Sequence, residues 1–251
     1  MRPVLFHIGS IPISSFWVTA FLGFLAAFLV TRSGLRRRGY GTELAYDMLL
    51  YAYVGGWVGA RLALIPTAWG AFVDDPIGFL LSGSGWMWYG GLLGGAAGVG
   101  WWGWRRGLSV QELGDIVAPA LAIGQAIGRL GCQLSGDGDY GVATTLPWGM
   151  SYPNGLVPTT ERVHPTPIYE AIGLVALFVY LQRRRAQAPP AGDLFGRYLV
   201  CAAVMRFAVE FVRRNPVGPL GLTEAQWVSL ALLGIGAALV RAGGGSSPPA
   251  D

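Results

Sequence analysis

Seven apolar runs, most of them bordered by arginine, constrain this chain more than any other feature. They cover about Ile13 to Thr31, Tyr46 to Pro66, Gly85 to Trp104, Asp115 to Ser135, Thr166 to Gln182, Asp193 to Val212 and Glu224 to Val240. About 20 apolar residues are needed to cross a bilayer as a helix. Of the 251 residues, 53% are hydrophobic and only 13% charged, with 39 glycines and ten tryptophans, which is unlike a soluble domain. The expectation is an all-α polytopic membrane protein of about seven transmembrane helices. It forms a single membrane domain over residues 1–251, with a disordered tail at 242–251.

Arginine placement sets the orientation. Ten arginines (Arg32, Arg36, Arg37, Arg38, Arg105, Arg106, Arg183, Arg184, Arg185 and Arg241) fall at one set of ends, and four (Arg2, Arg162, Arg213 and Arg214) at the other. Basic residues stay cytoplasmic, so the N-terminus is expected outside and the C-terminus in the cytoplasm. The start lacks a charged n-region and a cleavage site, so the first run reads as a retained span. The third run, with YGGLLGGAAG, has the small-xxx-small spacing of closely packed helices. Thr67 to Gly85 reads as a short outer loop. The segment 136–165 is polar, rich in Pro, Gly and Thr, and reads as an extracytoplasmic cap. Thr166 and Pro167 supply an N-cap and N1 pair for the fifth helix.

No lysine occurs, which excludes Schiff-base chemistry and makes every permanent side-chain cation a planar fork. A net charge of +4 gives no reason to expect nucleic-acid binding. Cys132 and Cys201 have neither metal nor disulfide spacing. A charge inside a span is a functional-site candidate. From the inner ends of their helices, Arg61, Arg129 and Arg206 all reach the outer half of the bilayer. Glu210 lies one turn beyond Arg206, Glu170 opens the fifth run, Tyr89 and Trp86 begin the third, and Asp137 and Asp139 follow the fourth. Gly124, Ala126, Gly128 and Gly131 keep the fourth helix thin.

Each residue also has a plain structural role open to it. Arg206 and Glu210 fit an i,i+4 ion pair. Glu170 complements a helix dipole. Arg61 can snorkel to the outer interface. Tyr89 and Trp86 suit the aromatic belt, and His164 suits a loop. The coincidence of three buried arginines at one depth favours a net positive pocket for an anionic lipid headgroup, with guanidinium forks on phosphate oxygens.

GRLGCQLSGDGDYG, HPTPIYEA and RFAVEFVRR, with PVLFHIGSIPI, GGWVGARL and GGLLGG, resemble blocks of the prolipoprotein diacylglyceryl transferases in order and spacing. The resemblance implies a seven-span, N-out enzyme of the bacterial inner membrane with its site toward the outer leaflet. Its reaction passes diacylglyceryl from phosphatidylglycerol to the lipobox cysteine thiol of a preprolipoprotein signal peptide, leaving a thioether and glycerol 1-phosphate. It implies no cofactor or metal, and the chain is taken as a monomer. Arg129 matches the signature arginine, Arg206 and Glu210 the RFxxE pair, and Gly141 the closing glycine. The departures are Cys132, Ser135 and Asp137 for Asn, Asn and Glu of the signature GRxGNFxNxE, Phe16 for a span-one tyrosine, and Tyr89 for a span-three histidine.

The expected catalytic set is therefore Arg129, Asp137, Arg206, Glu210, His164 and Tyr89. Arg61, Gly128, Gly131, Gly141 and Glu170 are the expected substrate-binding residues. For the base that takes the thiol proton, His164 ranks ahead of Tyr89, with Asp137 third and an electropositive pocket without a base as the remaining choice. A paralogue with another acceptor, and a transporter or lipid-binding protein for an anionic phospholipid, are the alternative functions.

Overall fold

The computed structural model describes residues 1–81 and 87–244. Trp86 and positions 245–251 of the expected tail lie outside the described residues. The elements run β1 (Val4–Ile8), β2 (Ile11–Ser14), α1 (Ser15–Arg37), α2 (Leu44–Leu62), α3 (Trp69–Asp74), α4 (Pro76–Leu81), α5 (Trp88–Arg105), α6 (Val110–Ser135), β3 (Met150–Tyr152), β4 (Thr159–Val163), α7 (Thr166–Arg185), α8 (Asp193–Glu210) and α9 (Glu224–Gly244). Two short 3-10 turns lie at Ile65–Thr67 and Pro219–Gly221. The seven long helices fall where the apolar runs do. Among the described residues, four segments are long and apolar enough to cross a membrane: Ser15–Arg37, Leu44–Thr67, Val110–Ser135 and Glu224–Gly243. Helices α7 and α8 carry the charges that build the site described below.

The chain is mostly helical, as expected, and among the described residues the structure adds two antiparallel hairpins, β1 with β2 and β3 with β4. In VLFHIGSIPIS the chain reverses at Gly9, whose φ of +60° suits glycine. Helix α9 also continues through Ala242 to Gly244, so the first three positions of the expected tail are helical. The loop expected from Thr67 to Gly85 contains α3 and α4.

The chain forms two compact units. One joins Met1–Thr31 to Gly114–Asp251 and the other is Arg32–Leu113. In the first, Ala118 and Ala122 of α6, Leu177 and Leu181 of α7, and Leu194, Tyr198 and Leu199 of α8 share a buried cluster, with Leu232 and Leu239 of α9 against it. The start of α8 is fixed by Asp115, whose buried carboxylate accepts the backbone N–H groups of Gly192 and Phe195, each at 2.9 Å. This caps orphan donors at a helix start.

The segment 136–165 has a core of its own. Tyr140 and Tyr152 stack with centroids 4.8 Å apart, and Val163 is buried with them. The segment is tied to the end of α6 by Leu156 N–H donating to Ser135 O at 2.9 Å and Tyr152 Oη donating to Gln133 Oε1 at 2.9 Å. In the second unit, α2 and α5 pack backbone to backbone, as the glycine spacing predicts. A Cβ on Gly94 would stand 2.2 Å from Gly55 O, and one on Gly59 would stand 2.3 Å from Gly90 O.

Candidate active site

The site is assembled at one end of the first unit from three pieces of chain. Helix α6 carries Arg129 and ends at Ser135. Gly136 and Gly138, with φ of +59° and +95°, then turn the chain, and Asp137 Oδ1 accepts the Asp139 N–H at 3.2 Å. The turn aims Asp139 back at Arg129. Helix α7 supplies Glu170 in its second turn. Helix α8 supplies Arg206 and Glu210, and the chain just past it supplies Arg213.

Three guanidiniums and three carboxylates meet there. Arg129 Nη1 pairs with Asp139 Oδ2 at 2.5 Å, and its Nε with Glu170 Oε2 at 2.9 Å. Arg206 Nη1 pairs with Glu170 Oε1 at 2.8 Å, and its Nη2 with Glu210 Oε2 at 3.0 Å. Arg213 Nη2 pairs with Asp139 Oδ1 at 2.5 Å and its Nη1 with Glu170 Oε2 at 3.4 Å. Asn215 Nδ2 donates to the other oxygen of Glu210, Oε1, at 2.5 Å. Glu170 is the hub, meeting all three guanidiniums while its side chain is only 3% exposed.

Buried charges are tolerated when paired and hydrogen-bonded, and stranding one partner costs about 3–5 kcal/mol. The formal charges of these six groups cancel, so the network is neutral rather than the net positive pocket expected from the sequence. Exposure divides its members. Arg129 and Arg206 leave about a quarter of their side chains accessible (27% and 26%) and Asp139 leaves 32%, whereas Glu170 and Glu210 are closed off. The open face thus presents two guanidiniums and one carboxylate. Burial raises the pKa of Asp139, but Arg213 and Arg129 outweigh it and hold the carboxyl below its ordinary range.

The other expected residues divide. Asp137 is not in the arginine network; its carboxylate serves the turn and lies within 4.8 Å of Cys132 Sγ. Gly141 is a close-approach glycine: its N–H donates to His164 O at 2.8 Å, and a Cβ there would stand 2.1 Å from Val212 O. Gly131 lets α6 approach α1, since a Cβ would stand 2.2 Å from Thr19 Oγ1 and 3.5 Å from Phe16. Gly128 faces open space. Arg61 and Tyr89 belong to the other unit. There Arg61 is buried rather than snorkelling, with its guanidinium 5.9 Å from the centroid of Phe79.

Thr166 is not the N-cap of α7; that position is Pro165. Thr166 Oγ1 instead donates to Asp139 O at 2.5 Å, holding the Asp139 turn against α7. His164 Nδ1 lies 3.2 Å from Tyr169 Oη, which accepts the indole N–H of Trp148 at 2.8 Å. Arg213, Asn215 and Tyr169 were not singled out from the sequence as site residues. The signal for Arg213 was present in RFAVEFVRR, three residues beyond Glu210, although the helix itself ends at Glu210.

A guanidinium–carboxylate cluster at one end of apolar helices fits a class: a helical membrane protein with a buried polar network. Comparison with known proteins makes the class particular. The family described as prolipoprotein diacylglyceryl transferase matches residues 3–242. A phosphatidylglycerol–prolipoprotein diacylglyceryl transferase of Clostridium tetani is 32% identical over 240 residues, covering 94% of this chain and 95% of its own. A protein of Clostridium perfringens with that name and the number 2 is 32% identical over 236 residues, covering 93% and 92%. One from Oleidesulfovibrio alaskensis is 34% identical over 235 residues, covering 91% and 85%. The chain belongs to the prolipoprotein diacylglyceryl transferase family.

Proposed function

We propose that this chain is a phosphatidylglycerol–prolipoprotein diacylglyceryl transferase whose phosphate-handling site is the Arg129–Arg206–Arg213 network. It spans the bacterial inner membrane seven times, N-terminus outside and C-terminus in the cytoplasm, and works as a monomer. The observation that carries the reading, beside the family, is Glu170 holding three guanidiniums at one end of apolar helices.

In the reaction, the lipobox sulfur attacks the diacylglyceryl carbon that bears the phosphate ester. A C–S bond forms, the C–O bond breaks, and its electron pair leaves on glycerol 1-phosphate. The thiol proton goes to a base. Arg129 and Arg206 meet the phosphate because they keep an accessible edge, and preorganised donors aimed at developing charge lower a barrier most. Arg213 and Glu170 hold the two guanidiniums in register. Gly128 leaves room beside Arg129 for the donor's glycerol and first methylenes. Segment 136–165 guides the acceptor peptide from the outer face.

The proton passes to His164 through Tyr169. Trp148 N–H is a donor only, so the Tyr169 oxygen accepts from it; with the imidazole in its Nε2–H tautomer, the Tyr169 hydroxyl donates to His164 Nδ1. A proton taken by the Tyr169 oxygen then releases the hydroxyl hydrogen to the imidazole. The test incubates purified protein, phosphatidylglycerol and a lipobox peptide and weighs the peptide. A diacylglyceryl mass increase is expected. Folded protein that binds donor and yields no adduct would sink the proposal.

A further inference from the structure

The far end of α7 and α8 carries a second cluster of arginines. Tyr180, Arg183, Arg184, Gln187 and Arg197 line a cavity of about 260 Å³. Arg184 is fourteen residues along α7 from Glu170, roughly 20 Å at the rise of a helix. The cavity is therefore separate from the site above. Its charge pattern also differs. Asp193, buried, meets Arg184 Nε at 3.0 Å and Arg197 Nε at 2.9 Å. The outer edges of these guanidiniums go to neutral oxygens: Arg197 Nη1 donates to Tyr180 Oη at 2.8 Å, and Arg184 Nη1 to Gln187 Oε1 at 2.7 Å. Arg183 has no ion-pair partner among the described residues. Three guanidiniums thus stand with one carboxylate. The nearby carboxylate of Asp115 is committed to the N–H groups of Gly192 and Phe195.

We propose that this cavity binds one phosphate group, with Arg183, Arg184 and Arg197 donating to its oxygens and Asp193 holding two of them in place. Planar guanidinium forks match phosphate geometry, and basic pockets at the cytoplasmic ends of membrane helices take anionic headgroups. The phosphate belongs either to a lipid headgroup or to free phosphate. Exposed apolar side chains on the same helix, Val175 and Val179, give an acyl chain a path away from the cavity. The proposal does not depend on the transferase reading.

The test uses full-length protein in phosphatidylcholine nanodiscs and follows its melting temperature. One arm titrates phosphatidic acid into the bilayer, and the other adds sodium phosphate to the buffer. Wild type, Arg183→Gln and Arg183→Glu are compared; Arg183 is exposed at a helix end, so all three should melt alike without ligand. The network around Glu170 is the same in all three, so the difference between them reports this cavity alone. Wild type should gain stability, and Arg183→Glu should need roughly tenfold more ligand for half the gain. An Arg183-dependent gain in the lipid arm alone identifies a headgroup. One that phosphate alone reproduces identifies free phosphate. Identical titrations of the three proteins in both arms overturn the proposal.

Discussion

Arg213 Nη2 lies 2.5 Å from Asp139 Oδ1, joining the loop after α6 to the chain just past α8. The same side chain reaches Glu170, and only 8% of it is exposed. Arg213 is thus a brace for the groups proposed to meet the donor. Replacing it with glutamine takes one guanidinium from Asp139 and Glu170, which keep Arg129 and Arg206, and loosens two proposed phosphate donors, each of a kind worth about 100-fold or more in rate. Arg213→Gln should lose at least that much transfer to a lipobox peptide. Arg213→Lys keeps the charge but lacks the fork across Asp139 and Glu170, so it should recover little. Wild-type turnover by Arg213→Lys would show that charge alone suffices.

Asp139 and Asp137 should behave differently although both follow α6. Asp139→Asn removes a network member, whereas Asp137→Asn leaves an oxygen to accept the Asp139 N–H. The first should cut transfer far more than the second. The depressed pKa of Asp139 also fixes a pH dependence. A carboxyl with a lowered pKa contributes stability that is complete above its unfolded value, about 4, and is lost as pH falls through the lower folded value. Melting temperature measured from neutral pH downward should therefore fall in acid, with Asp139→Asn less stable at neutrality and closing on wild type below about pH 4. Parallel curves throughout would contradict the ion pairing.

The sequence made the helices legible because apolar runs of bilayer length leave the backbone one solution. It also singled out Arg129, Arg206, Glu210 and Glu170, since charge in such a run stands out. It pointed to Asp137 rather than Asp139 because the choice depends on a turn through two glycines at positive φ, and spacing along the chain does not show which carboxylate that turn aims inward. Arg213 was assigned to an outer surface because it follows the end of α8; its burial comes from contacts with residues over 40 positions away. The hairpin β1 and β2 was missed because its strands are short and apolar and precede a long apolar run.

Gly141 is where three segments converge, so a single methyl group is a severe probe. A Cβ would stand 2.1 Å from Val212 O and 2.9 Å from His164 Cβ, both anchored atoms. Relief requires the Asp139 turn to move away from α7. Overpacking of this kind costs about 1–3 kcal/mol. Gly141→Ala should lower the melting temperature in detergent and reduce transfer together, whereas Gly128→Ala, with open space at its Cβ, should leave stability within about 1 kcal/mol of wild type. Equal stability of the two variants would mean that the turn can shift freely.

His164 and Tyr169 are coupled through one hydrogen bond of 3.2 Å, and that coupling gives the proposed proton path its test. The nucleophile is a thiolate, and an ordinary thiol ionises unaided only above about pH 8.5. A group that removes the thiol proton therefore matters most below that value and least above it. His164→Gln keeps a polar side chain of similar reach but no acceptor that can hold a proton near neutrality. Tyr169→Phe keeps the ring and removes the link between Trp148 and the imidazole. Both should transfer slowly at pH 7, by about 100-fold, the usual lower size of a general-base effect. Both should recover toward wild type as pH rises past that of the free thiol. Melting temperatures taken alongside separate this from unfolding, which alkaline pH would not reverse. If both variants matched wild type at every pH, the thiol proton would not leave through Tyr169 and His164.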